Sequence, residues 1–256
     1  MRRLAAILRC PRCRGAFDRA PGELVCAACG ARAPFDGAAV DLAELAPPPR
    51  SLGDRAMASR AMARLYDRVW RPLSFNVSTA FRAPAFDAEA TMAIERIAGC
   101  DGPWLDLSCG PGALTRRMCE VADGRLVVAA DLSLPMLERA RRQAPGAARV
   151  RADAMDLPFV DGAFGAVANL AALDLYPDAP RAIAEVMRVL APGGVWIASA
   201  FVRRERRIAR PPRGGPGGLD AGHIEAIARR AGFVEYASRS FGRYVVVQAK
   251  RPERRS

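Results

Sequence analysis

The sequence predicts an α/β protein with a doubly wound, mostly parallel seven-stranded sheet, preceded by a small cysteine-containing unit. From residue 99 onward, short apolar segments such as "RLVVAAD" and "GVWIASAF" alternate with segments of helical periodicity. Because these apolar segments lack a polar residue at every second position, they are typical of strands buried on both faces of a parallel sheet. The 256 residues suffice for one such domain and a small appendage.

The predicted elements follow one another in a regular order. We predict strands at 103–108, 125–130, 148–152, 163–169 and 194–200, and helices at 112–122, 133–144, 178–190 and 220–231. The segments "FVEYASR" and "YVVVQAK" flank a turn at Gly242, which predicts an antiparallel hairpin closing the sheet edge. Residues 99–256 thus form the core. Residues 46–98 are predicted to hold a linker, "APPPR" (46–50), and two helices, one starting at Asp54 and one ending at Gly99.

Charge is unevenly distributed along the chain, whose net charge is +12. Residues 51–200 carry 17 basic and 17 acidic residues, whereas residues 201–256 carry 14 basic and 5 acidic residues. This basic end is compatible with binding to nucleic acid, but it does not by itself indicate it. The chain has no apolar run of the ~20 residues that span a bilayer, and its start does not resemble a signal peptide. We therefore expect a cytoplasmic protein.

Four cysteines near the start have the spacing of a metal site. "CPRCRGAFDRAPGELVCAACG" contains two CxxC pairs, and Gly15 and Gly30 suit the turns that follow them. Two such pairs supply the tetrahedral sulfur shell that zinc prefers, with no open position, so we predict a structural zinc ribbon over residues 1–45. The alternative is that these are four unrelated small core residues. The predicted ligands are Cys10, Cys13, Cys26 and Cys29.

The stretch "LDLSCGPGAL" (105–114) predicts a strand, a glycine turn and a helix, an arrangement that can hold a nucleotide. Gly110 and Gly112 lack a Cβ atom and let a ligand approach the backbone. Three acids follow successive strands. Asp106 precedes the glycines, Asp131 ends the next strand, where a ribose diol needs an acceptor, and Asp153 follows the third strand, near an adenine amino group.

Together these stretches resemble the class I S-adenosylmethionine-dependent methyltransferases over about residues 95–250. The marks are "LDLSCGPG", "VVAADLSLPMLERAR", "RADAMDLPFVDGAFGAV" and "EVMRVLAPGGVWIAS". A nicotinamide-binding enzyme would have a third glycine where this chain has Thr115. The resemblance implies a Rossmann-like methyltransferase fold and the cofactor S-adenosylmethionine.

The resemblance also implies roles for individual residues. Gly110 and Gly112 would face the methionine moiety, and Asp106 would orient its amino group. Ser108 stands where the motif usually has glycine, with the packing residue Cys109 after it. Asp131 would accept from the ribose hydroxyls, and Leu132 would pack on adenine. Asp153 and the Ala154 amide would contact the adenine edge, and Asn169 and Leu170 would lie beside the sulfonium.

The whole layout is similar to zinc-ribbon methyltransferases of bacteria and plant plastids, most of which have no assigned substrate. More distantly, it resembles ribosomal RNA guanine-N1 methyltransferases. Their fourth zinc ligand is typically histidine, whereas this chain has Cys29.

The candidate acceptor-side residues are Asp174 and Tyr176, which can touch a substrate or act as a base. The alternative is that Asp174 bonds to backbone and Tyr176 packs. His223, the single histidine, is a third catalytic candidate or a helix-start residue. Tyr66, Trp70 and Phe75 can form an aromatic lid over the substrate, or the first two can belong to a packing face. The arginine-rich loop 203–218 can bind phosphate or carboxylate, or be a solvated loop.

Three functions remain open from the sequence. The first is methyl transfer to an O, N or C atom of a small or medium-sized organic substrate. The second is RNA base methylation, with the ribbon and the arginine loop holding the backbone. The third is a non-methylating protein that keeps the fold and the cofactor.

Overall fold

The computed structural model describes residues 2–42, 45, 86–202 and 219–253. The predicted linker at 46–50, the helix starting at Asp54, the aromatic residues Tyr66, Trp70 and Phe75, and the loop 203–218 lie outside these residues. Within the described residues the predicted elements of the core are present, with ends shifted by a few residues.

The described residues form six α-helices, a 3-10 helix (Leu173–Leu175) and eleven strands. The helices are α1 (Arg2–Ile7), α2 (Phe86–Ile97), α3 (Ala113–Val121), α4 (Leu134–Gln143), α5 (Ala179–Val189) and α6 (Ala221–Ala231). The first strands are β1 (Phe17–Ala20), β2 (Glu23–Cys26), β3 (Arg32–Pro34) and β4 (Ala39–Asp41). The others are β5 (Trp104–Leu107), β6 (Val127–Asp131), β7 (Ala148–Arg151), β8 (Phe164–Asn169), β9 (Leu190–Phe201), β10 (Val234–Phe241) and β11 (Tyr244–Lys250).

The central sheet has eight strands in the order β10-β11-β9-β8-β5-β6-β7-β4. The predicted number of seven is wrong, because β4 pairs in parallel with β7 and extends the sheet. All pairs from β4 to β9 are parallel, and β11 and β10 add antiparallel, so the predicted hairpin lies at the edge. A separate antiparallel sheet has the order β1-β2-β3. Cys26 is the last residue of β2, and Cys29 lies in the turn between β2 and β3.

Successive residues of a strand point to opposite faces of the sheet, so they pack in two different cores. In β5, Leu105 and Leu107 pack in the larger core with α5 and α6, whereas Trp104 packs in the smaller core with α2 and α3. The sheet therefore carries helices on both faces, as predicted. The larger core also contains Leu4, Leu8 and Leu24, so the cysteine-containing unit shares its core with the sheet.

Local chemistry explains where the helices begin. The side chains of Ser133, Asp178 and Asp220 each accept a hydrogen bond from a backbone N–H in the first turn of α4, α5 and α6, respectively. Proline follows Ser133 and Asp178 within two residues, where its fixed φ suits a helix start. In the described part of the chain, no helix combines the length and the apolar character that crossing a membrane requires.

Candidate functional site

The glycine turn after β5 has a left-handed backbone at three of five positions. Ser108, Gly110 and Gly112 have φ values of +56°, +53° and +93°. At Gly112 a Cβ atom would lie 2.8 Å from the Cα atom of Ala140 on α4. Gly112 therefore allows α3 and α4 to pack closely, in addition to the predicted approach of a ligand. Cys109 is buried in the packing around this turn, as expected.

Asp131 joins the end of β6 to this turn. Its Oδ2 accepts a hydrogen bond from the Gly110 N–H at 2.9 Å, and its Oδ1 accepts one from the Ser133 N–H at 2.8 Å. Burial raises the pKa of the Asp131 carboxyl, and the N–H donors of Ser133 and Gly110 oppose this shift. The Leu132 N–H acts in the same direction, and a carboxylate with about four lone-pair sites keeps capacity for a further donor. The carboxylate can thus accept from a ligand diol while it holds the turn.

The other two predicted acids are also fixed locally. Asp106 is 2% exposed, and its Oδ2 accepts from the Thr115 hydroxyl at 2.5 Å. Thr115, at the position of the missing third glycine, therefore ties the acid to α3. The Oδ1 of Asp153 accepts from the Met155 N–H at 2.9 Å, and both Asp153 and Ala154 are buried after β7. Both acids occupy the strand ends that the sequence predicts.

Ser108, Tyr176 and Asn169 form a hydrogen-bonded group beside the turn. The Asn169 Nδ2 donates to the Leu107 carbonyl at 2.8 Å and to the Tyr176 oxygen at 2.9 Å. The Leu107 carbonyl can only accept, so the Asn169 amide orientation is determined. Tyr176 and Ser108 oxygens are 2.6 Å apart. Either hydroxyl can be the donor of this pair, because the Tyr176 oxygen can accept from Ser108 as well as from Asn169.

The pKa values of Tyr176 and Asp174 are higher than those of an exposed tyrosine and an exposed aspartate. Burial raises the pKa of the Tyr176 phenol, because its hydrogen bonds to Ser108 and Asn169 only partly offset the loss of water. Burial also raises the pKa of Asp174, whose Oδ1 accepts from the Phe201 N–H at 3.1 Å. Both side chains therefore have internal partners.

His223 lies in the first turn of α6 and is largely exposed. Its Nδ1 is 2.6 Å from Asp220 Oδ2, and its backbone N–H donates to the same carboxylate. Helix α6 packs against α5 and β10, whereas the glycine turn precedes α3. These described contacts belong to the start of a helix, and the catalytic role of His223 stays a prediction.

A cleft opens beside the glycine turn. It is lined by Phe86, Asp106, Ser108, Cys109, Gly110, Pro111, Ala113, Leu114 and Leu170. Four of the predicted cofactor residues thus lie around one cleft: Asp106, Ser108, Gly110 and Leu170. Phe86, the first residue of α2, was not predicted, because nothing in "AFDAEATMAIERIAG" distinguishes it from a core aromatic.

Comparison with known proteins agrees with this geometry. Residues 105–198 match the methyltransferase domain family.

Two relatives illustrate the extent of the match. A demethylmenaquinone methyltransferase of Thermus thermophilus is 39% identical over 144 residues, which cover 55% of this chain and 62% of that protein. An uncharacterized chloroplastic methyltransferase of Arabidopsis thaliana is 28% identical over 225 residues, covering 80% of this chain and 62% of that protein. The matches therefore span less than two thirds of either relative.

Solved structures share the fold of this chain. A phosphoethanolamine N-methyltransferase of Haemonchus contortus, in complex with S-adenosyl-L-methionine, superposes with a TM-score of 0.61 at 15% identity, covering 78% of this chain and 59% of that one. The cyclase SpnF superposes with a TM-score of 0.60 at 20% identity, covering 81% and 97%. One fold thus includes proteins named for different reactions.

Sequence reasoning missed a buried acid next to the methyltransferase domain's strand ends. Glu89 on α2 is 1% exposed, and its Oε1 accepts from Ser199 and Tyr244 hydroxyls. Ser199 Oγ in turn accepts from the Ala171 N–H at 2.8 Å, in the loop after β8. A signal was available, because Glu89 shares a helical spacing of four with the buried residues Ala93 and Ile97.

The four cysteine sulfurs ahead of the domain converge on one point. All four lie within 4.8 Å of one another, with Cys10 and Cys29 sulfurs 3.7 Å apart and Cys13 and Cys26 sulfurs 3.4 Å apart. Zinc–sulfur bonds of about 2.3 Å imply tetrahedral sulfur–sulfur distances of about 3.8 Å. The donor set and its size therefore fit a zinc ion.

The backbone around the sulfurs is arranged for thiolates. Burial opposes ionisation of Cys26, but N–H groups of Cys29 and Ala28 and the neighbouring thiols lower its pKa to about 6. A Cβ atom on Gly15 would lie 2.8 Å from the Ala28 Cβ and 3.1 Å from the Cys26 sulfur. Only glycine leaves room at that position for the sulfurs to converge.

Proposed function

We propose that this protein is an S-adenosylmethionine-dependent methyltransferase that acts on a small or medium-sized organic acceptor. The carrying observation is the Asp131 carboxylate, which ends β6, holds the glycine turn through Gly110 and keeps the capacity to accept from a ligand hydroxyl. Asp153 at the end of the neighbouring strand offers an acceptor for an adenine amino group. The family match over residues 105–198 supports the same function.

S-adenosylmethionine, when bound, would supply a methyl group bonded to a sulfonium. The acceptor attacks this methyl group in line, and S-adenosylhomocysteine leaves. The chain's own residues then bind and orient. Asp131 accepts the ribose hydroxyls, Leu132 packs on adenine, and Asp153 with the Ala154 amide contacts the adenine edge. At the methionine end, Asp106 orients the amino group and Ser108 lines the same cleft. Asn169 and Leu170 lie beside the transferred group and exclude water.

The raised pKa values narrow the class of acceptor. Tyr176 keeps its proton at neutral pH, so this phenol is a poor base. Acceptors that lose a proton readily, such as acidic phenols or carbon acids, need the least help from a base in attacking the methyl carbon and displacing the sulfur. Several curated relatives are named demethylmenaquinone methyltransferases. We infer an acceptor that loses a proton readily.

Two other functions make different predictions. RNA methylation would require basic residues along the phosphate path, and the loop 203–218 that could supply them lies outside the described residues. A non-methylating reaction is compatible with the fold, since SpnF is a cyclase. The neutral charge balance of residues 51–200 favours the small organic acceptor.

We also infer that the four cysteines hold a structural zinc ion. Four sulfur ligands complete a tetrahedron and leave no position for a substrate. The metal would join the two CxxC turns of a unit whose own sheet has three short strands, too little for independent stability without a metal.

The deciding experiment supplies S-adenosylmethionine with a labelled methyl group to the full chain. Total RNA and a small-molecule extract of the source cells are offered separately, with the Asp131→Ala variant as the control for label that is not enzymatic. Label in the small-molecule fraction, absent with the variant, supports the proposal. Label confined to RNA would establish the second function, and binding of the cofactor without label in either fraction would favour the third.

Replacing Tyr176 with phenylalanine is expected to lower kcat/KM about fivefold to thirtyfold, since the hydrogen bonds of its hydroxyl with Ser108 and Asn169, about 1 kcal/mol each, are lost. The pH dependence of the rate should not change, because the phenol does not titrate near neutral pH. The measurement is a pH–rate profile of both proteins. A general base contributes ~10²–10⁴-fold, so a loss of that size with a displaced profile would assign proton removal to Tyr176.

A further inference from the structure

The N-terminal segment reaches the adenosine side of the proposed site. Strand β4 pairs with β7 so that Asp41 lies beside Arg151, and β7 pairs with β6 so that Arg151 lies beside Asp131. Paired residues of neighbouring strands point to the same face of a sheet. Asp41, Arg151 and Asp131 therefore form one row at the carboxyl ends of three parallel strands.

Arg151 connects the two ends of this row. Its Nη1 is 3.3 Å from Asp41 Oδ2, and its Nε donates to the Leu132 carbonyl at 3.0 Å. Leu132 follows Asp131 directly and is expected to pack on adenine. The backbone reinforces the connection, because the Leu42 N–H donates to the Arg151 carbonyl and the Ala152 N–H donates to the Asp131 carbonyl.

The cysteine-containing unit also packs on the loop that follows β7. The Arg9 N–H donates to the Pro158 carbonyl at 2.9 Å, and the Val160 N–H donates to the Ile7 carbonyl at 2.8 Å. Arg14, between the two halves of the cysteine site, forms an ion pair with Asp156 and donates to the Leu157 carbonyl at 3.0 Å. This loop begins at Asp153. The N-terminal unit therefore contacts the loop after β7 directly and the end of β6 through Arg151.

We propose that Arg151 is a positioning residue for the adenosine half of the cofactor, and that Asp41 on β4 holds it in place. The planar guanidinium suits this task, because its fork of donors serves a carboxylate and a carbonyl at once. The N-terminal segment thus forms one wall of the adenosine site through Asp41 and Arg151. This inference rests on the proposed function, since it assumes that the site takes an adenosine ligand.

The test measures binding to the full chain by titration calorimetry. S-adenosylhomocysteine and 5′-methylthioadenosine are used as ligands, because the second lacks the amino-acid portion but retains adenosine. Arg151→Gln is expected to weaken both ligands by the same factor, about 5- to 30-fold. Asp41→Asn should weaken both by a smaller common factor. Binding is measured at a temperature where circular dichroism shows each variant to be folded.

The matched control is Asp36→Asn. Asp36 pairs with Arg149, two residues earlier in β7, at 3.9 Å, and an asparagine can still accept from the Ala38 and Ala39 N–H groups. It lies away from the cofactor end of the strand, so binding should equal that of the wild type. A purely structural role for Arg151 would lower the melting temperature and leave both affinities unchanged.

The outcomes separate the two proposals. If the wild type binds both ligands, and Arg151→Gln and Asp41→Asn bind them with the same affinity, the positioning role is overturned. The proposed function then still stands. Loss of S-adenosylhomocysteine binding with retained methylthioadenosine binding would also overturn it, because the defect would then lie at the methionine end. Absence of binding to the wild type would refute the proposed function, and the positioning role with it. If Arg151→Gln fails to fold, Asp41→Asn against Asp36→Asn decides.

Discussion

Replacing Asp131 with alanine is expected to raise the dissociation constant for S-adenosylhomocysteine about 10- to 150-fold, the equivalent of one hydrogen bond to a charged group. The carboxylate is the acceptor proposed for the ribose diol. It also holds the glycine turn through the Gly110 N–H, so its loss affects the ligand both directly and through the turn. Titration calorimetry on the purified variant measures the effect.

The control for this variant is Glu138→Ala, which removes an acid from the exposed face of the adjacent helix α4. That variant should bind as the wild type does. Equal affinities for Asp131→Ala and the wild type would show that the ligand, if any, lies elsewhere. The assignment of the whole cofactor site would then be wrong.

Cofactor affinity should also depend on pH through Asp131. Burial raises the pKa of this carboxyl, so it becomes protonated at a higher pH than an exposed aspartate does. Protonation removes the charge that strengthens the hydrogen bonds from ribose, and affinity is expected to decrease as the pH falls through the raised pKa. The same titration at several pH values tests this. A pH dependence that persists in Asp131→Ala would have another origin.

Replacing Cys26 with serine, or removing metal with a strong chelator, is expected to unfold the N-terminal unit and to lower the melting temperature substantially. Structural zinc contributes about 10–16 kcal/mol of apparent binding free energy in zinc-finger peptides. Cys26 is also 2% exposed and lies in the same core as Leu8 and Leu24. Disorder of this unit would therefore uncover apolar surface of the central sheet. Mass spectrometry for metals should find about one zinc per wild-type chain and much less in the variant.

Cys119→Ser is the matched control, because Cys119 is half-buried on α3 and lies outside the four-sulfur cluster. It should retain zinc and nearly all of the stability. A wild-type chain that contains no metal when purified under reducing conditions, or a Cys26→Ser variant as stable as Cys119→Ser, would contradict the zinc site.

Much of the fold was predictable because its signals are local. The start of the helix predicted over 133–144, the buried strand "VVAAD" and the glycine turn each depend on fewer than ten residues, and the structure has all three elements where expected. The convergence of the four sulfurs was also predictable, since a CxxC turn brings its two thiols together by itself.

Other features of the site could not be predicted, because their partners are far apart in sequence. The hydroxyls of Tyr176 and Ser108 form a hydrogen bond although they are 68 residues apart in sequence. Glu89 accepts hydrogen bonds from Ser199 and Tyr244, which are more than 100 residues away in sequence. Each residue alone has the properties of many ordinary residues. Only a folded chain shows that a tyrosine hydroxyl supports the residue that replaces a glycine, or that an acid on α2 holds the loop after β8.

The sequence by itself determined the order of strands and helices along the chain, the acids at the strand ends and the two CxxC pairs. Periodicity and short spacings encode these features, and the local conformational energies that they reflect do not depend on the rest of the molecule. The tertiary structure decided that β4 is the eighth strand of the sheet and that Asp41 lies beside Arg151. Pairing of residues 39–41 with residues 149–151 depends on the edge that β7 exposes, and that edge exists only after the sheet has formed.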